Sequence, residues 1–181
     1  QVEKLLSTLS DRKEFWTKYP IPTLAISDPS FNADGHWKGT RRNSPWNGRS
    51  WPMVNSQVLE GLAYVAERGN KKAKKLCGQL FKRTISMMSG ELEGLEEPRS
   101  FEHYHPLTGS PSRFRGIDLC LHGAILDNIF RVAGGFAVRY GSIQDDPVMD
   151  DMPDFKLNNI VVANKAYNVE RKNGKLKITT P

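Results

Sequence analysis

The sequence lacks most of the features that assign a chain to a common protein class. Its 181 residues include only two cysteines, Cys77 and Cys120, and hold neither a Gly-rich phosphate loop nor a Gly-X-Ser-X-Gly elbow. No apolar run approaches the roughly 20 residues that span a bilayer. These absences exclude a disulfide-stapled miniprotein and a membrane span, and they leave a serine-elbow hydrolase without support. Two cysteines leave the cellular compartment open.

The charge balance is basic. The chain has 26 Lys and Arg against 20 Asp and Glu, a formal net charge of +6, and its 38% hydrophobic and 25% charged residues are typical of a soluble globular domain. Basic residues cluster between positions 71 and 83 in one helical pattern, which a solvated helix face explains. No nucleic-acid motif accompanies them, and an acidic stretch at 145–154 offsets them. We therefore predict neither a nucleic-acid nor a membrane partner.

Apolar periodicity predicts a helical body followed by a β region. Spacing at i, i+3, i+4 and i+7 predicts helices over residues 1–16, 54–68, 71–88 and 118–132. After Gly135 the pattern changes to β-branched, alternating runs, and Asn173-Gly174 between two of them is a strong hairpin signal. The predicted strand segments are 136–140, 160–162, 167–171 and 176–179. We expect a helical part at residues 1–135 and a small antiparallel β appendage at 136–181.

A long loop after the first helix holds the first candidate site. It spans residues 17–52 and includes Trp46, Asn47, Arg49 and Trp51. Loops longer than about 12–15 residues are usually functional or disordered, and the tryptophans argue against disorder. An indole face can cover the apolar face of a sugar, while amide and guanidinium groups bind its hydroxyls. The alternative is that both tryptophans are core anchors of the loop.

The second candidate site is the segment Phe101-Glu102-His103-Tyr104-His105-Pro106-Leu107-Thr108-Gly109. Aromatic neighbours desolvate a carboxyl group, which is one way to tune it for acid–base catalysis. Alternation would put His103 and His105 on one side, and Glu102 and Tyr104 on the other. The alternative is an exposed glutamate on a loop. The two histidines could suit a metal in a strand, but no Cys or carboxylate partner accompanies them, so we predict no metal and no cofactor.

In their order, these motifs resemble the C-terminal part of glycoside hydrolase family 63. That family includes processing α-glucosidases and mannosylglycerate-hydrolase-like bacterial enzymes. The resemblance begins with Phe15-Trp16, Tyr19-Pro20-Ile21-Pro22 and Asp28-Pro29-Ser30-Phe31. It continues through the loop at 46–52 and the helix that starts near Asn55, and ends at Gly109, with His105 in place of the family's usual Asn.

The resemblance implies a mostly α fold that is part of an (α/α)₆ toroid, as in six-hairpin glycosidases, with a small C-terminal β appendage. Such a toroid needs more helices than this chain supplies. We therefore expect residues 1–135 to be the C-terminal portion of a glycosidase domain whose remainder lies upstream of Gln1. The partners implied are a carbohydrate substrate and that remainder.

The resemblance also implies that an α-linked glycoside is hydrolysed with inversion. Inversion needs a general acid and a carboxylate that activates water, about 6.5–9.5 Å apart. Glu102 matches the family's general base, and the acid would be an Asp upstream of Gln1. The implied substrate-binding residues are Trp46, Asn47, Arg49, Trp51, His103 and Tyr104. The segment Ser112–Ile117 departs from the family's usual Gly-rich stretch, which leaves the subsite and retained catalysis open.

Two alternative functions stand beside the hydrolase. One is a non-catalytic carbohydrate-binding or scaffold module that keeps the tryptophan loop and lacks an acid. The other is a polysaccharide lyase or sugar isomerase on the same toroid, in which Tyr104 or His103 would matter more than Glu102. Product analysis separates the enzymes, because a lyase leaves an unsaturated end and a hydrolase does not.

Overall fold

The computed structural model describes residues 1–35, 44–89, 94, 101–112 and 123–181. Within these residues the helices are α1 (Val2–Leu9), α2 (Pro52–Ala66), α3 (Lys71–Met88) and α4 (Gly123–Asn128). A 3₁₀ turn covers Pro45–Asn47 and a π-helical turn covers Ile129–Ala133. Predictions for Cys120, for the start of the fourth helix and for residues 113–117 lie outside the described residues. Across the described helices, none is both long enough and apolar enough to cross a membrane.

Helices α2 and α3 agree closely with the apolar periodicity. Helix α2 begins at Pro52, a residue suited to a first helical turn, and ends before Gly69, whose φ of +87° favours glycine. Helix α3 begins at Lys71, where the side-chain oxygen of Asn70 accepts a hydrogen bond from the backbone N–H of Ala73 at 2.9 Å. These start and stop signals act locally, which is why the sequence predicts both helices to within about two residues.

The first helix is shorter than the predicted range of residues 1–16, because α1 ends at Leu9. The side chain of Asp11 accepts a hydrogen bond from the backbone N–H of Lys13 at 2.8 Å, and its carbonyl accepts from Phe15 and Trp16. Such a local turn competes with helix propagation. Apolar spacing continues beyond Leu9, but the aspartate redirects the chain.

The β appendage consists of two antiparallel sheets. Strands β1 (Phe136–Arg139) and β2 (Ser142–Asp145) form one sheet, and strands β3 (Phe155–Val162), β4 (Lys165–Lys172) and β5 (Lys175–Thr179) form the other in that order. Each hairpin turns on two residues of positive φ: Tyr140-Gly141, Ala163-Asn164 and Asn173-Gly174. The hairpin predicted at Asn173-Gly174 is confirmed.

The described residues cluster into two compact units. The first comprises residues 1–59 and 79–125, and it contains all the candidate site residues named above. The second comprises residues 60–78 and 126–181, and its sheets bury an apolar cluster of Phe136, Ile143, Val162 and Val169. The second unit also holds Cys77, a buried thiol whose pKa burial raises to about 12. The domain boundary after residue 135 stays a prediction.

Candidate functional site

A row of antiparallel backbone bridges joins the two candidate segments in the first unit. Pro22 pairs with Ser50, Ser50 with Tyr104, and Tyr104 with Pro111. Ser50 and Tyr104 exchange both backbone hydrogen bonds, at 2.9 and 2.8 Å. Their side chains therefore project to one face, and the residues on either side of them project to the other. This pairing brings the tryptophan loop against the segment that follows Glu102.

Arg49 is an interior residue with 3% of its surface exposed. Its Nε donates a hydrogen bond to His103 Nδ1 at 2.7 Å, and its terminal nitrogens donate to the carbonyls of Ala33 at 3.0 Å and Ser110 at 2.9 Å. Burial lowers the pKa of Arg49, and the charge of Asp34 acts in the opposite direction. The guanidinium thus ties three separate segments together. The sequence predicts that Arg49 binds sugar hydroxyls, and its described contacts are all within the protein.

The two tryptophans form a stacked pair. Their ring centroids lie 3.9 Å apart with an angle of 11° between the planes. Trp51 is 1% exposed and Trp46 is 38% exposed, so one indole is the buried support and the other is open to solvent. On its other side, Trp51 contacts the ring of His103, with centroids 4.8 Å apart. Trp51 is thus a core anchor of the loop, whereas the sugar-binding role of the exposed Trp46 stays a prediction.

Local chemistry explains how the loop presents Trp46. The side chain of Ser44 accepts a hydrogen bond from the backbone N–H of Trp46 at 3.2 Å, and Pro45 opens the 3₁₀ turn. Gly48 follows the turn with a φ of +143°, and a Cβ there would lie 2.8 Å from the ring of Phe31. Because only glycine fits this position, the Trp-Asn-Gly sequence is itself part of the site.

Tyr104 and Asn47 take different positions relative to solvent. Tyr104 is fully buried, and its hydroxyl accepts a hydrogen bond from the backbone N–H of Phe101 at 2.8 Å. Asn47 is half-buried in the turn, where its carbonyl accepts from the backbone N–H of Asn32 at 2.6 Å. The structure thus places Asn47 next to the exposed indole of Trp46 in the chain, and Tyr104 in the core.

Glu102 stands out because it is half-buried with one carboxylate oxygen fully buried. Among the described residues this oxygen, Oε2, has no hydrogen-bond partner, and the same is true of the buried amide oxygen Oδ1 of Asn55. Buried polar atoms are nearly always paired, so an unpaired carboxylate oxygen requires an explanation, and a catalytic role is one. The alternative of a fully exposed loop glutamate does not fit this burial.

His105 holds the turn that follows the site. Its Nδ1 accepts hydrogen bonds from the backbone N–H groups of Leu107 at 3.1 Å and Thr108 at 3.3 Å. An asparagine oxygen makes the same kind of turn, so the departure from the usual Asn preserves the local geometry. Burial and the charge of Arg49 lower the pKa of His105, while Asp34, 3.5 Å from its Nε2, acts in the opposite direction.

Sequence reasoning did not single out Asn55 as an interior support of the site. Asn55 is fully buried, and its amide donates to the carbonyls of Trp51 at 3.0 Å and Ile21 at 3.3 Å. The sequence feature that could have indicated this supporting role is that Asn55 lies one helical turn after Trp51. Within the described ranges, no group of three or more His, Cys, Asp or Glu side chains could hold a metal ion.

Comparison with known proteins gives a family match for the chain. No curated protein matches the chain. A family model described as the mannosylglycerate hydrolase MGH1-like glycoside hydrolase domain matches residues 1–118, a range that includes the tryptophan loop and the Glu102 segment. This match confirms the resemblance inferred from the ordered motifs. The chain belongs to the family of MGH1-like glycoside hydrolase domains.

Proposed function

We propose that this chain contributes the general base and part of the sugar-binding surface of an inverting α-glycosidase. The observation that carries the proposal is the buried carboxylate oxygen of Glu102, which has no hydrogen-bond partner within the described ranges. Glu102 lies directly before His103, whose ring packs on the support of the exposed Trp46. Membership of a glycoside hydrolase family supplies the substrate class, which is carbohydrate.

The chemistry required of Glu102 is to accept a proton from a water molecule as that water attacks the anomeric carbon. An ionised carboxylate with an oxygen that no protein donor occupies can accept such a hydrogen bond directly. Oε2 is enclosed by protein in this structure, so in the proposed mechanism the carboxylate would turn toward the sugar to meet the attacking water. Among the described donors, none competes for Oε2.

Trp46 supplies the surface for the sugar ring. Its exposed indole is braced from behind by Trp51, so it forms a rigid apolar plane. The sugar's C–H face would pack on this plane, and the neighbouring Asn47 side chain would meet a hydroxyl at the edge. In this proposal Arg49 braces the loop from within and does not touch the sugar.

The remainder of the site is proposed to come from outside these residues. The four described α-helices would form part of an (α/α)₆ toroid, and the general acid would be a carboxylate in a segment upstream of Gln1. The acid and Glu102 would stand about 6.5–9.5 Å apart, with room for the attacking water between them.

The burial of Tyr104 and His103 favours a hydrolase over a lyase. A lyase on this fold would need one of these side chains to reach the sugar. The Tyr104 hydroxyl accepts from Phe101 in the core, and His103 Nδ1 accepts from Arg49. Both groups are almost completely buried. Glu102 is only half-buried as a residue and has no described donor at Oε2, so of these three side chains it is the one that we propose acts on the sugar.

The test is Glu102→Gln in the full-length protein, assayed for release of sugar from α-glycosides. Loss of a general base typically slows turnover by about 10²–10⁴-fold, with sugar binding retained. Glu170→Gln, in strand β4 of the appendage, is the matched control and should keep full activity. Unchanged turnover in Glu102→Gln would remove this residue from the mechanism. A wild-type protein that binds sugars without cleaving them would favour the non-catalytic module.

A further inference from the structure

His103 is the residue directly after the proposed base, and it is fixed on two sides. It is 1% exposed. Arg49 Nε donates to its Nδ1 at 2.7 Å, and the ring of Trp51 contacts its face, with centroids 4.8 Å apart. These two contacts come from the tryptophan loop, more than 45 positions earlier in the chain. A single imidazole therefore links the tryptophan loop to the chain position that directly follows the proposed base.

The contact with Arg49 determines the chemical form of the histidine. A guanidinium group is a donor only and keeps its charge, so the nitrogen that it contacts must present a lone pair. Nδ1 is accordingly unprotonated, and the neutral ring carries its proton on Nε2. Among the described residues, the charged groups related to this ring are Arg49 at Nδ1, Asp34 through its charge on Arg49, and Glu102 as the preceding residue in the chain.

The backbone around His103 is fixed as well. Its carbonyl accepts from the backbone N–H of Ser112 at 2.9 Å, and the next residue, Tyr104, exchanges two hydrogen bonds with Ser50. With the side chain and the following peptide both held, the peptide that carries Glu102 has little freedom on its C-terminal side. A displacement of about 1 Å at a catalytic group can cost 10²-fold in rate.

We propose that His103 is a positioning residue: held as the Nε2-protonated neutral ring by Arg49 and Trp51, it fixes the peptide that carries the Glu102 carboxylate relative to the tryptophan loop. This inference rests on the proposed function of Glu102. It differs from the substrate contact that the family resemblance implies for His103, because the ring acts through its neighbour and does not meet the sugar.

Two substitutions in the full-length protein separate the effect of losing the hydrogen-bond acceptor of His103 from the effect of losing its aromatic ring. His103→Phe keeps a ring against Trp51 and removes the acceptor for Arg49, whereas His103→Asn places an amide oxygen near the Nδ1 position. We expect His103→Phe to lower kcat by about 10–100-fold with little change in KM. His103→Asn should recover most of kcat. A residue needed only for folding would lower the yield and the Tm and leave kcat per folded molecule unchanged.

The outcomes distinguish this inference from the proposed function. If His103→Phe keeps the wild-type kcat, or if His103→Asn is as slow as His103→Phe, the positioning role is overturned and the role of Glu102 stands. Full activity in Glu102→Gln overturns the proposed function itself. Nitrogen NMR of histidine-labelled wild-type protein provides a measurement that needs no variant. A protonated Nδ1 on His103 would overturn the inference, and an unprotonated Nδ1 with a protonated Nε2 supports it.

Discussion

Arg49→Lys should destabilise the protein strongly, although it keeps the positive charge. The arginine makes three hydrogen bonds from one planar group, to His103 Nδ1, the Ala33 carbonyl and the Ser110 carbonyl. A lysine ammonium is a single point and cannot reach three acceptors that surround a guanidinium plane. A hydrogen bond to a charged group contributes roughly 1.5–3 kcal/mol, so the loss of two such bonds lowers the free energy of unfolding by about 3–6 kcal/mol.

Urea unfolding of wild type and Arg49→Lys, followed by tryptophan fluorescence, measures this difference. Arg12→Lys is the matched control, because Arg12 is exposed and its replacement should change the free energy of unfolding by less than about 0.5 kcal/mol. A loss under about 1 kcal/mol in Arg49→Lys, together with a raised KM, would refute the interior role. It would instead support the sugar contact that the family resemblance implies for this residue.

Two further substitutions test the exposed platform and the turn. Trp46→Ala should raise KM by about 10-fold because the sugar loses its stacking surface. The variant should still fold, since Trp51 remains as the core anchor, with a free energy of unfolding lowered by about 0.5–1.5 kcal/mol from the lost Trp46–Trp51 stacking. An unchanged KM contradicts the platform. His105→Asn should fold normally and flatten the pH dependence of stability. The folded-state pKa of His105 is lowered, so its contribution to stability is complete above the unfolded pKa of about 6.5 and is lost as pH falls below it. Identical losses of unfolding free energy in wild type and variant between pH 7 and pH 5 would contradict this.

The sequence predicts those parts of the fold that local chemistry decides. Helices α2 and α3 and the Asn173-Gly174 hairpin follow from capping residues, proline and glycine at short range. Apolar periodicity predicts a first helix that is longer than α1, because the periodic pattern contains no information about the turn that Asp11 makes after Leu9.

The site was harder to predict, since long-range pairing builds it. The bridge between Ser50 and Tyr104 joins residues more than 50 positions apart and decides which side chains face inward. Residue type alone indicates that Arg49 binds polar groups. The fold determines that those groups are His103 and two backbone carbonyls. The two tryptophans are likewise the same residue type, yet Trp51 is buried and Trp46 is exposed. Only the stacked arrangement in the structure reveals this difference in exposure.

The central claim is that Glu102 activates the water that attacks an α-glycoside. Its most direct test is rescue of Glu102→Ala in the full-length protein by azide, a small nucleophile that needs no general base. With an activated α-glycoside, azide should restore turnover and give the β-glycosyl azide as the product, since attack comes from the face opposite the leaving group. An α-glycosyl azide, or a Glu102→Ala enzyme that hydrolyses the glycoside at the wild-type rate without azide, would contradict it.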